Sequence, residues 1–215
     1  IQEKLPKQNI LNKNSNILVL REQGVGDEIL YGSMYYDLLN EFKNLIIECD
    51  ERLIPLFKNS FKSHQNKFVK LGTYSLDTKK INDFDHIIYA GSLGKYFRND
   101  IKSFSQNSYL KSIDNYKDLE LNNILSQSRG LKIGISWKSF KNRYSSEKSL
   151  SLEDFDNIFK ISETKIFNLQ YGDVKDELKE FTNKHNYKII TLESLDLFNN
   201  FSGLANLLKN LDLFV

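Results

Sequence analysis

Short, continuous apolar runs alternate along this chain with longer segments whose apolar residues recur at helical spacing. Ile17-Leu18-Val19-Leu20, set between Asn16 and Arg21, is apolar at every position, the pattern of a strand buried on both faces. Leu45-Ile46-Ile47-Glu48-Cys49 predicts a second strand, Phe68-Val69-Lys70-Leu71 a weaker third, and His86-Ile87-Ile88-Tyr89-Ala90 a fourth. Between the first two, Ile29, Leu30, Tyr31, Met34, Leu38 and Leu39 predict one helix, with Asp27 placed to cap it. Residues 51–61 predict the next helix, with Pro55 near its first turn. Gly91-Ser92-Leu93-Gly94 then breaks the pattern at a strand's carboxyl end. A polar helix over 113–127 ends near Gly130, where the series restarts. A strand at 131–136 is followed by a long polar loop over 137–150, and Ser151-Leu152-Glu153-Asp154 opens a helix as a capping box. Strands at 165–169 and 187–190 flank a helix at 173–185; a short helix at 203–210 leads into a tail that reads as a strand beginning.

This alternation predicts an α/β protein made of two Rossmann-like parallel-sheet domains. Residues 1–15 read as a linker remnant, 16–129 as the first domain and 130–215 as a second, incomplete one. The 215 residues, 40% hydrophobic and 27% charged, exclude a disordered chain. At roughly 150 residues per domain they allow one large domain or two modest ones. The first residue is not Met and the last five are mostly apolar, so both ends read as cut from a longer protein. No apolar run approaches the roughly 20 residues that cross a bilayer, and no secretory leader is visible. Thirty basic and 28 acidic residues leave a net charge of +2, too balanced for nucleic-acid binding by bulk charge. Cys49, the one cysteine, cannot form an internal disulfide and fits a reducing, cytoplasmic setting. His64, His86 and His185 lie far apart without ligand spacing, so no metal is expected.

In an open parallel sheet ligands gather beyond the carboxyl ends of the strands, where three loops fall here. The first carries Gln23, Gly24, Gly26 and Asp27. Its glycines permit close backbone approach to a ligand, but a dinucleotide fingerprint would need a glycine where Ile29 stands. Asp27 suits either a general base deprotonating a hydroxyl or a helix cap, and spacing leaves both open. In the second loop, backbone amides and Ser92 suit a polar substrate and Arg98 an anionic one; a plain surface connection is equally compatible. The third loop, Trp137 to Ser149, combines Lys138, Ser139, Arg143 and Lys148 in a composition suited to phosphate oxygens. A solvated lysine-rich loop would look similar, since Lys outnumbers Arg 25 to 5. After the next strand, Gln170 and Tyr171 offer a polar edge and an aromatic face to a nucleobase, or form a turn capped by Asp173.

Glu22-Gln23-Gly24-Val25-Gly26-Asp27-Glu28-Ile29-Leu30 and Glu48-Cys49-Asp50-Glu51-Arg52-Leu53-Ile54-Pro55-Leu56-Phe57 resemble the glycosyltransferase-like region that follows tetratricopeptide repeats in many bacterial proteins. Gly91-Ser92-Leu93, Gly134-Ile135-Ser136-Trp137 and Asn168-Leu169-Gln170-Tyr171-Gly172-Asp173 follow in the same order. That region is similar to the heptosyltransferases of glycosyltransferase family 9, which have the GT-B fold. The resemblance implies two facing Rossmann-like domains with the active site in the cleft between them. It places the acceptor (a glycan, lipid or protein hydroxyl) on the first domain, near Gln23, Gly24, Gly26, Ser92 and Leu93. A nucleotide-sugar donor falls to the second, near Trp137, Lys138, Ser139, Arg143, Lys148, Gln170 and Tyr171. Asp27 matches the catalytic base of an inverting, metal-free transfer that needs no cofactor. Peripheral membrane contact of a full-length protein is compatible with it. The family's diphosphate-gripping loop would come after Val215, so this stretch alone is expected to have negligible transferase activity. A non-catalytic sugar- or nucleotide-binding module is the alternative. A nicotinamide-dependent oxidoreductase, with Glu48 or Asp50 on a ribose, is the third reading.

Overall fold

The computed structural model describes residues 2–5, 11–114, 116–127, 130–140 and 146–215. The chain divides into two compact units, Ile1–Lys111 and Ser112–Val215.

The first unit runs β1 (Ile17–Leu20), α1 (Val25–Gly32), α2 (Tyr35–Glu41), β2 (Leu45–Cys49), α3 (Ile54–Ser60), β3 (Phe68–Lys70), β4 (His86–Tyr89) and α4 (Gly94–Phe97). Its four strands are parallel in the order β3-β2-β1-β4. Central β1 has no side chain more than 3% exposed, which is why its run is apolar throughout. Beside the sheet Tyr35, Phe57, Phe61 and Phe68 form a ring cluster with centroids 5.3 to 6.4 Å apart. Pro55 stands in the first turn of α3, as expected. Cys49 is fully buried, and burial pushes its thiol up to about 12. Residues 1–15, read as linker, are partly docked. Lys4 exchanges two backbone hydrogen bonds with Ile87 at the edge of β4, and Glu3 Oε1 accepts the Tyr89 N–H at 2.9 Å.

The single helix predicted after β1 is two. Arg98, more than sixty residues on, donates to Ser33 O at 3.0 Å and pairs with Asp37 at 2.9 Å. Tyr109 Oη donates to Ile29 O and lies 2.7 Å from where a Cβ on Gly32 would stand. These groups hold the break between α1 and α2, and they commit Arg98 to structure rather than to an anionic ligand.

The second unit runs α5 (Leu119–Gln127), β5 (Leu131–Ile135), α6 (Asp156–Phe159), β6 (Thr164–Asn168), α7 (Lys175–His185), β7 (Ile189–Ile190), α8 (Phe201–Lys209) and β8 (Leu213–Phe214). Its sheet is parallel in the order β7-β6-β5-β8, the same pattern as in the first unit, and the tail forms the strand it predicted. Along β6 successive residues face opposite ways. Ile166 joins a cluster with Ile133, Ile135, Trp137 and Phe181; Phe167 joins another with Leu121, Leu192, Leu195 and Leu207. Leu121 explains why α5 packs with the second unit, although the sequence placed the boundary near residue 129. Ser151 and Asp154 form the expected capping box, with Ser151 N donating to Asp154 Oδ2 at 2.8 Å. Among the described residues no helix is long and apolar enough to cross a membrane.

Candidate functional site

In the first unit the strand order reverses between β1 and β4, the place where open parallel sheets bind ligands. The loops leaving those strands meet there: Glu22 Oε1 accepts the Gly91 N–H at 2.8 Å, and a Cβ at position 91 would collide with that same oxygen. Exposed Gln23 adopts a left-handed backbone with φ of 60°, uncommon for a non-glycine residue. Gly24 is the N-cap of α1, and Asp27, half-buried in its first turn, accepts the Gly24 N–H on Oδ2 at 2.9 Å. The capping role is therefore real, through the third helical position. Among the described residues Oδ1 of Asp27 accepts no hydrogen bond, leaving one oxygen for a base. Among the described residues nothing lies within 4 Å of where a Cβ would stand on Gly26, so no packing among them requires glycine there. Ser92 is half-buried in a turn after β4. Leu93 is fully buried, so its side chain serves the core and cannot contact an acceptor.

Beneath this loop lies a network of four charges that sequence reasoning did not recognise. Glu28, fully buried, pairs with Arg21 Nε at 2.7 Å and accepts the Asp50 N–H at 2.9 Å. Burial raises its carboxyl above the usual range, against the pull of the Asp50 amide and Arg21. Arg21 also pairs with Asp50 at 3.1 Å and donates to Gln23 O at 3.2 Å, bracing the loop from below. Arg52 grips both oxygens of Asp50 at 2.8 and 3.0 Å and holds its carboxyl down at about 2. Glu48, also fully buried, accepts from Gly72 N, Tyr74 N, Ser75 N and Ser75 Oγ at 2.6 to 3.0 Å. Neither acid that the oxidoreductase reading assigned to a ribose is unengaged.

In the second unit the corresponding loops are organised by Gln170, 2% exposed. Its Oε1 accepts from Ser136 Oγ, Trp137 N and Lys138 N at 3.1, 2.8 and 2.6 Å, and its Nε2 donates to Lys138 O and Tyr171 O at 3.1 and 3.0 Å. Gln170 is thus a clamp between two loops, with its carboxamide spent on the protein, and it also lines the cavity beyond them. Trp137 is corrected from a donor contact to a support: it lies in the core and donates Nε1 to Glu177 at 3.1 Å. Lys138 pairs with the same Glu177 at 2.6 Å, which neutralises a cation read as phosphate-binding. Ser139 is half-buried and its N–H donates to Ser149 Oγ at 3.1 Å. Lys148 is exposed in a short 3₁₀ turn of the same loop, and Arg143 lies outside the described residues.

Beyond the carboxyl ends of β6 and β7 opens a cavity of about 420 Å³. Tyr171 and Phe198 line it, their ring centroids 5.9 Å apart, and Phe140 also packs on Tyr171 with centroids 5.4 Å apart. Gly172 has φ of +92°, and a Cβ there would lie 2.6 Å from the Phe140 ring, so the turn and the aromatic ladder depend on glycine. Asn168, Thr191, Glu193 and Asp196 supply polar edges. The structure thus brings Trp137, Lys138, Ser139, Gln170 and Tyr171 together, and of these Gln170 and Tyr171 line the cavity. The stretch after β7 escaped sequence reasoning, though Phe198 within polar residues beyond a strand end was a readable signal. Among the described residues no group of three or more His, Cys, Asp or Glu could hold a metal ion.

With this geometry in view, one similarity stands out. The chain is similar to Protein FlbA of Caulobacter vibrioides, 22% identical over 225 aligned residues. The alignment covers 94% of this chain and 36% of that protein, so the chain spans about a third of its relative's length. No protein-family model matches the chain. No solved structure matches it either.

Proposed function

We propose that this chain is part of an inverting glycosyltransferase, its second unit binding the nucleoside end of a nucleotide-sugar donor. The supporting observation is the cavity of about 420 Å³ beyond β6 and β7, lined by the aromatic side chains of Tyr171 and Phe198. It falls within the range of roughly 300 to 1,000 Å³ usual for small-ligand sites, and it opens beyond the carboxyl ends of parallel strands, beside rather than at the β5–β8 reversal. Aromatic faces suit the flat base, and the polar rim suits the ribose. In the first unit Asp27 is the proposed base. Its unengaged Oδ1 takes the proton of an acceptor hydroxyl as that oxygen attacks the anomeric carbon and the nucleoside diphosphate departs.

Titration of UDP, GDP, ADP and dTDP into the chain tests the first half. At least one should bind, and Tyr171→Ala should weaken it by about tenfold or more, as loss of a stacking partner worth roughly 1–3 kcal/mol would do. Binding of none of the four overturns the reading. Asp27→Asn in the whole protein tests the second half. The amide keeps an acceptor for the Gly24 N–H, so the fold should persist while sugar transfer is abolished; unchanged turnover would remove Asp27 as base.

A non-catalytic nucleotide- or sugar-binding module is the second reading. It is favoured by the structural employment of both reactive groups, Asp27 with Gly24 and Lys138 with Glu177. Binding without turnover in the whole protein would select it.

A further inference from the structure

The wall of the second unit's cavity is built by a stretch whose apolar residues Leu192 and Leu195 pack with Phe167 of β6 and whose backbone is mostly outside the sheet. β7 is only two residues long, and the chain leaves it at Thr191 to form the wall through Phe198. Its polar side is held by the segment that leads into α5 of the same unit. Ser194, between the cavity-lining Glu193 and Leu195, directs its Oγ to both oxygens of Asp118 at 3.1 and 3.0 Å. Its N–H donates to Glu120 Oε2 at 2.8 Å, and the Glu193 N–H approaches Glu120 Oε1 at 3.4 Å. Asp118, 9% exposed, also accepts the Leu121 N–H at 2.9 Å, so the carboxylate that caps α5 is the one that grips the wall. One step further, Asn200 Nδ2 donates to Tyr116 Oη at 2.6 Å, and a Cβ on Gly203 would stand 2.7 Å from that oxygen. The amide of Ser194 draws the Glu120 carboxyl below the usual range, as a stabilised acceptor requires.

We infer that Asp118 and Glu120 are positioning residues for this cavity, coupling its occupancy to the segment 116–120 near the start of the second unit. The inference rests on the reading of the cavity as a nucleotide site. Coupling of this kind is reciprocal: a ligand that stiffens the wall must stiffen its strap, and a loosened strap must weaken the ligand by the same factor. The strap is short, polar and partly exposed, the kind of element that opens locally while the core stays closed.

The test uses the whole chain with UDP, GDP, ADP and dTDP as probes, and the variants Glu120→Ala and Glu120→Gln. Glu120 is half-exposed, so neither change disturbs the core. For the nucleoside diphosphate that binds best, Glu120→Ala should weaken affinity roughly five- to tenfold. Glu120→Gln, which keeps an oxygen for the Ser194 N–H, should restore it to within about twofold. The bound nucleotide should slow amide exchange at 116–122 as well as at 191–198. Wild-type affinity in Glu120→Ala, or protection of the wall without the strap, overturns the inference. Should no probe bind, the nucleotide reading fails by itself and exchange in the free chain decides the strap. Glu120→Ala must then speed exchange at Ser194 and Leu195 relative to α7, and unchanged rates overturn it.

Discussion

Two sheets of the same strand order fasten their carboxyl-end loops by opposite chemistry. The first unit uses ionised groups: Glu28 and Asp50 between Arg21 and Arg52, and Glu48 under the turn at Gly72 to Ser75. The second joins the loops after β5 and β6 through one carboxamide, Gln170, that accepts three hydrogen bonds and donates two, with the partly exposed Lys138–Glu177 pair beside it. A carboxylate accepts without donating, so every buried one needs a cation or a set of amides and carries the cost of leaving water. A carboxamide satisfies donors and acceptors alike with no charge to balance. The first arrangement fills the strand ends with its own partners. The second, more economical, leaves room for the cavity beside Tyr171.

The sharpest way to break this contrast is to remove one charge. Arg21→Met leaves Glu28 buried without its cation and facing Asp50, which should cost the first unit about 3–5 kcal/mol. Urea unfolding followed by amide exchange should show the first unit opening while the second keeps its protection; equal loss in both would end the comparison. Gln170→Leu comes next. It strips the Trp137 and Lys138 amides of their acceptor and should cost the second unit about 2–4 kcal/mol. Because an amide does not titrate, that loss should be the same at pH 5 and pH 7 in thermal unfolding, and a pH-dependent loss would contradict the contrast.

The smallest effect is the pH response itself. Asp50 is held at about 2, below the 3.8 of an unstructured aspartate, so its stabilisation is complete above pH 4 and is lost as pH falls toward 2. That difference amounts to about 2 kcal/mol for the first unit. Glu28 works the other way: its carboxyl is raised, so stability drains as pH climbs from about 4.5 through its folded value. Asp50→Asn should flatten the acid limb between pH 4 and 2, measured by the urea midpoint of the first unit. An unaltered limb would show that other carboxylates carry it.

The sheets were legible in the sequence because their strands are buried on both faces. Ile17–Leu20 and Leu45–Cys49 could be read almost to the residue, and the capping box at Ser151 needed only neighbours three positions apart. What escaped was set by distant groups. The break between α1 and α2 falls within an unbroken helical periodicity and is made by Arg98 and Tyr109 from far along the chain. Polar residues at strand ends were the other blind spot. Gln170 reads identically whether it faces a ligand or clamps two loops, and only its partners at Trp137, Lys138 and Tyr171 decide. Glu28, beside Asp27 in the sequence, is the buried one of the pair, and no local pattern marks which of two adjacent acids points inward.

The placement of two rare side chains has a practical consequence. The chain's one tryptophan, Trp137, sits in the core of the second unit, and its one cysteine, Cys49, is sealed in β2 of the first. Indole fluorescence therefore reports on one sheet and thiol alkylation on the other. The natural chain carries an intrinsic two-channel readout, and the melting order of its halves can be timed without adding a single label.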